Sequence, residues 1–227
     1  MLRVNDIYTL LKAAKEGTDF WIITSGLGFN ADRALKLKES GLTGVMVSID
    51  HFEQSAHDDF RGFKDSYRSA VNAVIHANQV GLVTTLSLCA TKSFVTQENL
   101  INYMEFAKDL GVSFVQILEP RASGRYQGKD IALSEDQLNL LKRIYLEYNG
   151  SRLFSDYPIV HYLGHHQRKV GCFGAGDRFF YIDTYGDAHI CPYCTNKVGS
   201  AVDLSSKDMI DLLGQRSCHV FERNLLL

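Results

Sequence analysis

Four of the five cysteines fall in the last quarter of the chain, at spacings that suit metal ligation. Cys172 is followed by thirteen residues, Gly186, four residues and Cys191, and two residues separate Cys191 from Cys194. The intervening residues are typical of a β-hairpin with Gly186 at its turn, which brings flanking cysteines together. Cys218 is the candidate for a fourth ligand. Four thiolates suit either a tetrahedral zinc ion or an iron–sulfur cluster.

The ligand type alone does not decide between a zinc ion and an iron–sulfur cluster. A zinc ribbon normally has two C-x2-C knuckles, and this chain has one, Cys191-Pro-Tyr-Cys194, which favours the cluster. The remaining candidates are predicted to be outside the site. Cys89 lies in an apolar strand and is predicted to be core, and His189 is predicted to lie at the surface. The adjacent His165 and His166 are predicted to lie on a loop and to point apart.

Composition restricts the class of protein. A chain of 227 residues can hold one sizeable domain, or one domain with a small appendage. The net charge of −2, without a Lys/Arg block, gives no attraction to nucleic acid. No apolar run approaches the ~20 residues of a membrane span, and the N-terminus lacks a secretory signal pattern. Cysteines in such a chain are typical of reduced cytoplasmic thiols or metal ligands. We therefore expect a cytoplasmic protein, and its oligomeric state stays open.

Strand and helix patterns alternate along the first part of the chain. Apolar runs predict strands at 20–24, 44–50, 82–88 and 114–118, the first of them buried, and a helical pattern separates each pair. Such alternation predicts parallel βαβ units with right-handed crossovers. These units are too few to close a barrel, so an open, curved piece of a barrel is expected.

The pattern changes after this α/β region. We place a domain boundary between about Gly150 and Gly171, with domains at 1–150 and 171–227. The second domain has short strands and glycine turns. The predicted fold class is α/β, a partial (β/α) TIM-type barrel with a small C-terminal cysteine-rich β-hairpin domain.

Two motifs resemble one known family. Gly44-Val-Met-Val-Ser-Ile-Asp50, followed by His57-Asp-Asp-Phe-Arg-Gly62, is similar to the middle of radical S-adenosylmethionine (radical SAM) enzymes that carry a C-terminal SPASM or twitch domain. In that family a strand ending Ser-hydrophobic-Asp precedes an HDxFRG-like stretch. The Cys-x13-Gly-x4-Cys run resembles the C-x9-15-G-x4-C signature of the auxiliary-cluster domain. The two motifs occur in the family's order, and the resemblance covers nearly the whole chain.

The resemblance implies roles for particular residues. Ser48 would lie near the adenosine ribose, Arg61 would bind the methionyl carboxylate, and Asp50 would position the loop or the cofactor. The alternatives are strand-end capping for Ser48 and Asp50 and a surface ion pair for Arg61. His51 stands where the family more usually has glycine. Cys172, Cys191, Cys194 and Cys218 would hold an auxiliary cluster, expected to be of the 4Fe–4S type.

Two family motifs do not occur in the printed sequence. The C-x3-C-x2-C that holds the catalytic cluster and a Gly-Gly-Glu-Pro element are both missing, and Leu2 to Asp6 resembles the junction just after the latter. The resemblance therefore implies an N-terminally truncated protein, with an unpaired strand edge at 20–25 and no radical generation of its own. Full-length relatives form a 5′-deoxyadenosyl radical from S-adenosylmethionine to modify a substrate, often a peptide. Two alternatives remain: a non-catalytic cluster-binding module for partner or substrate recognition, and a zinc-stabilised protein without redox chemistry.

Overall fold

The computed structural model describes residues 6–13, 17–194, 196–216, 218 and 221. The chain divides into two compact units. The first extends to Pro120 and resumes at Ile131–Tyr162, and the second comprises Arg121–Asp130 and the chain from Leu163 onward. The short segment 121–130, which the sequence places in the first domain, therefore groups with the second unit.

The described residues of the first unit form one parallel sheet of five strands, in the order β1-β2-β3-β4-β5. The strands are β1 (Trp21–Thr24), β2 (Gly44–Ser48), β3 (Val83–Cys89), β4 (Phe114–Leu118) and β5 (Ile159–His161). The helices are α1 (Asp6–Lys12), α2 (Ala31–Glu39), α3 (Gln54–Arg61), α4 (Ser66–Gln79), α5 (Gln97–Asp109) and α6 (Glu135–Gly150). The predicted parallel α/β architecture is confirmed. β5 is an addition to it, because its three residues are too few to give a periodic signal.

Local sequence explains where several helices begin. Asn30 and Thr96 accept backbone N–H groups at the starts of α2 and α5. A capping box is present at α6, where Ser134 and Gln137 bond reciprocally. The core lies where the sheet is covered by helices, and it takes side chains both from the strands and from the helices packed on them. Of the junction that Leu2 to Asp6 resembles, residues 2–5 lie outside the described residues.

The first strand differs from its prediction. β1 pairs only with β2 in the described sheet, and its exposed residues alternate along the strand. Trp21 is 39% and Ile23 71% exposed, so the prediction of a buried strand is wrong. The apolar run is real, but an edge strand covered on one face leaves every second side chain uncovered.

The second unit is small and built on an antiparallel sheet. Its described elements are α7 (Leu163–Val170), β6 (Tyr181–Ile182), β7 (Asp187–His189), β8 (Gly199–Ser200) and α8 (Ser206–Gly214). Ala188, Met209 and Leu213 form its apolar centre. Gly186 has φ +83° in the β6–β7 turn, the positive value that its position predicted. His165 and His166 lie in α7, so their assignment to a loop is wrong. Across the described residues, no helix is long and apolar enough to span a bilayer.

Gly26 fixes the loop after β1 against α4, and we expect its replacement to be costly. Gly26 has φ +84°, and an added Cβ would lie 2.5 Å from the carbonyl oxygen of Ser69 and 2.6 Å from Cα of Ala70. Gly26→Ala should lower the free energy of unfolding by roughly 3 kcal/mol, from strain and overlap together. Gly81→Ala is the control, because Gly81 has φ +72° but no atom within 4 Å of the added Cβ. Equal urea midpoints for the two variants would contradict the expectation.

Candidate functional site

Asp50 joins the ends of two neighbouring strands to a helix. It lies two residues beyond β2, in a sheet where Ser48 pairs with Ser87 of β3, and it is 5% exposed. Its Oδ1 accepts the backbone N–H of Cys89 at 3.0 Å. Its Oδ2 forms an ion pair with Nη2 of Arg61 at 2.6 Å. The carboxylate therefore ties β2, β3 and α3 together at the carboxyl end of the sheet.

His57 is a second link between α3 and the same residue. The backbone N–H of Asp50 donates to Nδ1 of His57 at 3.1 Å, and His57 is buried. Because a backbone N–H can only donate, the imidazole is neutral and carries its proton on Nε2. Burial lowers the pKa of His57, and the charges of Arg61 and His51 act in the same direction, while Asp50 and Asp58 oppose them.

His57 was quoted only as part of a motif, and the sequence analysis missed it as a site residue. The available signal was the i, i+4 spacing of His57 and Arg61, which places both on one face of a helix. The sequence assigned no helix over 54–61, so that signal was not used. In the structure both side chains of α3 reach Asp50.

Two cavities flank these residues at the carboxyl ends of the strands. One has a volume of about 190 Å³. The other has a volume of about 270 Å³. The first is lined by Ser25, Leu27, His57, Arg61, Phe63, Ser66 and Ser69. The second is lined by Asp50, His51, Ala56, Phe60, Cys89, Thr91, Ser93 and Phe94. Parallel sheets place ligands at this end of their strands. Ser48 is half-buried at the end of β2 and is not among the residues that line either cavity.

Cys89 is not a core residue, contrary to its prediction. It is the last residue of β3, is only partly buried, and lines the larger cavity. Burial raises its pKa to about 11, and the charge of Asp50 adds to this. It is therefore a neutral thiol at neutral pH. The apolar run predicted the strand correctly, but a strand's final residue leaves the layer of helices that covers its middle.

His51 occupies a fixed position beside the same cavity. Its Nδ1 accepts the backbone N–H of Glu53 at 3.0 Å, and its ring lies 4.5 Å from that of Phe52 and 5.4 Å from that of Phe94. The side chain that replaces the family's usual glycine is thus held by the turn between β2 and α3.

Two of the four C-terminal cysteines are in direct contact in the second unit. Cys191 and Cys194 have their sulfur atoms 3.4 Å apart. Burial raises the pKa of Cys172, with further contributions from Cys218 and Cys191. Burial first, and then Cys191, Cys218 and Cys172, raise the pKa of Cys194 to about 12. Thiols that raise one another's pKa lie within electrostatic range of one another. A bound cation would instead lower these pKa values, because it stabilises thiolates.

The donor set around Cys172 suits a ligated sulfur. Its Sγ accepts the backbone N–H of Gly174 at 3.3 Å and Nε2 of Gln167 at 3.7 Å. Such N–H donors stabilise sulfur charge in metal and cluster sites. Within the described part of the chain, no three His, Cys, Asp or Glu side chains are already gathered at metal-binding separations. The cysteines therefore offer the donor chemistry of a metal centre, without the ligand geometry of one among the described residues.

The segment 121–130 reaches this cysteine group. The Arg121 guanidinium lies 4.8 Å from the ring of Phe221 and 6.0 Å from the ring of Tyr193, which belongs to the Cys-Pro-Tyr-Cys knuckle. The carbonyl of Phe221 accepts the backbone N–H of Cys172 at 3.2 Å. These contacts explain why the segment belongs to the second unit, although it directly follows the end of β4.

His189 is buried, so its predicted surface position is wrong. It is 7% exposed, and its Nε2 lies 3.1 Å from Oδ2 of Asp183. Asp183 also accepts the backbone N–H groups of Tyr185 and Asp187. The pair therefore stabilises the turn between β6 and β7. The ring of Tyr181 lies 6.0 Å from that of His189, so residues of the β6–β7 hairpin itself contact the imidazole.

Comparisons with known proteins give three kinds of result. No protein-family model matches the chain. Fe-coproporphyrin III synthase of Methanosarcina barkeri is 25% identical over 126 residues, which are 55% of this chain and 31% of that protein. Streptococcus suis SuiB bound to precursor peptide SuiA has a TM-score of 0.71 at 15% identity, covering 94% of this chain and 53% of SuiB. anSMEcpe with bound AdoMet and Kp18Cys peptide has a TM-score of 0.64 at 15% identity, covering 84% of this chain and 56% of anSMEcpe.

The structural likeness concerns the fold. SuiB and anSMEcpe are radical SAM enzymes, and at these identities they show that the parallel sheet with its helices has the arrangement found in part of that fold. The chain spans about half the length of these solved proteins and about a third of the curated relative. The predicted partial-barrel α/β fold is thereby confirmed.

Proposed function

We propose that this chain is part of a radical SAM-type protein and binds S-adenosylmethionine at the carboxyl ends of β2 and β3. The observation that carries the proposal is the Asp50–Arg61 pair, which is held by three segments and lies between two cavities. SuiB bound to S-adenosylmethionine and anSMEcpe with bound AdoMet share this fold, which supports the choice of ligand.

Arg61 is the proposed partner of the methionyl carboxylate. Its contact with Asp50 uses one nitrogen of the guanidinium, and a guanidinium has further N–H donors in a fork that matches a carboxylate. The side chain is 31% exposed, so a ligand can reach it. Ser48, at the end of β2, is the proposed neighbour of the ribose. Asp50 then acts by holding Arg61.

A peptide is the proposed substrate class. SuiB was crystallised with its precursor peptide SuiA, and anSMEcpe with the Kp18Cys peptide. The net charge of −2 offers no general attraction for nucleic acid, which leaves a peptide as the macromolecular substrate that the fold supports best. We propose the cytoplasm as the location, since an iron–sulfur centre and free thiols suit a reducing compartment.

Cys172, Cys191 and Cys194, with Cys218, are the proposed ligands of an auxiliary iron–sulfur cluster. When bound, such a cluster supplies a site for single-electron transfer. The residues of this chain supply four thiolates, and Gly174 and Gln167 donate N–H groups to the sulfur of Cys172. The Cys191-Pro-Tyr-Cys194 knuckle presents two of the thiolates from one turn. We propose that residues 1–150 bind the cofactor and that residues 171–227 bind the cluster.

The proposal does not assign radical generation to these 227 residues. Their five cysteines, at positions 89, 172, 191, 194 and 218, contain no C-x3-C-x2-C. The proposed activity of the chain is therefore binding of the cofactor and of the auxiliary cluster.

Calorimetric titration with S-adenosylmethionine and S-adenosylhomocysteine tests the proposed site. We expect Arg61→Ala to weaken binding of both by about tenfold to a hundredfold, because a charged hydrogen bond contributes about 1.5–3 kcal/mol. Arg68→Ala is the matched control, since Arg68 is an exposed arginine of α4 that pairs with Asp65. An unchanged affinity in Arg61→Ala, or no binding by the wild-type chain, would contradict the proposal.

A further inference from the structure

We propose that His57 is a positioning residue: its bond to the backbone of Asp50 sets the placement of α3 and thereby orients Arg61 toward a ligand carboxylate. This inference rests on the proposed function of Arg61. His57 has no role in the implied cofactor site, and its contacts show a function that the motif alone does not reveal.

Two bonds from one helix face converge on one residue. His57 and Arg61 are four residues apart in α3, so their side chains extend from the same face. His57 accepts the main-chain N–H of Asp50, and Arg61 pairs with the side chain of Asp50. The first bond fixes the helix relative to the main chain after β2, and the second places the guanidinium. A guanidinium on a long, flexible side chain needs such a fixed origin to be oriented.

The turn between β2 and α3 does not depend on His57 for its own conformation. Its main chain is held from two other helices: Tyr103 of α5 donates to the carbonyl of Ile49 at 2.6 Å, and Tyr67 of α4 donates to the carbonyl of Phe52 at 2.9 Å. Of these three contacts with the turn, only that of His57 comes from the helix that carries Arg61. The Asp58 carboxylate of α3 accepts the backbone N–H groups of Asp65 and Tyr67, which holds the helix to the start of α4. Loss of His57 should therefore leave the turn in place and free α3 only where it meets Asp50.

The bond requires a neutral imidazole, which makes it sensitive to acid. The charged and titratable groups that act on His57 are Asp50, Arg61, Asp58 and His51, and the ring of Tyr67 packs against it edge-on at 6.0 Å. Protonation of Nδ1 would replace the acceptor with a donor facing the N–H of Asp50. Acidification should thus free α3 where it meets Asp50 in the wild-type chain just as removal of the imidazole does.

Ligands with and without a carboxylate separate positioning from general damage. We expect His57→Leu to weaken S-adenosylhomocysteine binding by roughly tenfold, with no change for 5′-methylthioadenosine, which lacks the carboxylate. His57→Asn should restore binding, because its Oδ1 can accept the same N–H. In the wild-type chain the affinity for S-adenosylhomocysteine should fall as His57 is protonated below its ordinary pKa, and in His57→Asn this fall should be absent.

A measurement without ligand keeps this inference separate from the proposed function. In protein labelled with ¹⁵N-arginine, the Nε–Hε signal of Arg61, assigned by its loss in Arg61→Ala, should be sharp in the wild-type chain and in His57→Asn. It should broaden or shift in His57→Leu and in wild-type protein at acid pH. If the signal responds in this way but no adenosyl ligand binds, the proposed function fails while the positioning role stands. If the signal is identical in wild type and His57→Leu, the positioning role is wrong whatever binds.

Discussion

Replacing Cys191 with alanine should remove most of the iron and acid-labile sulfide from protein reconstituted anaerobically. Cys191 is buried, and its sulfur lies 3.4 Å from that of Cys194. The proposed cluster is held by four thiolates, two of them from this knuckle. Without one of these two, it retains neither its geometry nor its charge balance. We expect iron and sulfide per chain to fall by about tenfold, since outer-shell changes alone cost tenfold or more in metal affinity. Colorimetric iron and sulfide assays and the visible absorption of the brown protein measure the change.

Cys89→Ala is the control for this experiment. Cys89 lies in the first unit at the end of β3, so its loss should leave the iron and sulfide content unchanged. If the wild-type protein contained tightly bound zinc and no sulfide, the site would be a structural zinc site and the cluster assignment would be wrong. Equal iron loss in Cys89→Ala and Cys191→Ala would mean that the C-terminal cysteines are not the ligands.

Replacing Asp50 with alanine should destabilise the first unit and remove cofactor binding together. The carboxylate is 3% exposed and satisfies both Arg61 and the N–H of Cys89. Removing one partner of a buried ion pair costs about 3–5 kcal/mol, and we expect about 3 kcal/mol because Arg61 can turn toward solvent. Urea unfolding followed by circular dichroism measures this loss, and calorimetry with S-adenosylhomocysteine measures binding.

Two further variants make this result specific. Asp50→Asn keeps an oxygen acceptor for the N–H of Cys89 but loses the charge, so its stability should lie between those of wild type and Asp50→Ala. Asp59→Ala changes an exposed carboxylate of α3, and its free energy of unfolding should stay within about 0.5 kcal/mol of wild type. Asp50→Ala with the stability of Asp59→Ala would show that the buried pair does not hold the strand ends together.

Several features could be predicted from local sequence because they depend on neighbours along the chain. The capping box of Ser134 and Gln137 is complete within four residues. The strands of the central sheet were predicted from runs of apolar residues, and the positive φ of Gly186 from its place in a turn. The convergence of Ser48, Asp50 and Arg61 on one end of the sheet was expected from two short motifs, and the structure places Asp50 and Arg61 in contact.

Other features depend on which elements pack together, and no local pattern contains that information. The sequence predicts Trp21 and Ile23 to be buried, but both are exposed. Burial requires a second layer of structure, and the edge strand has none on that face. The sequence predicts His189 at the surface, but it is buried and in contact with Asp183 and Tyr181. Segment 121–130 joins the second unit through contacts of Arg121 with residues more than seventy positions away.

The candidate site also depends partly on local sequence and partly on tertiary packing. Residue types and the spacing of His57 and Arg61 are properties of the sequence, and they determine that two side chains lie on one face of α3. What those side chains meet was decided by the tertiary structure, which brings the main chain after β2 and the end of β3 to that face. The physical reason is that helical periodicity is set by backbone geometry within one turn. A bond from helix to strand end depends instead on how the whole sheet packs against its helices.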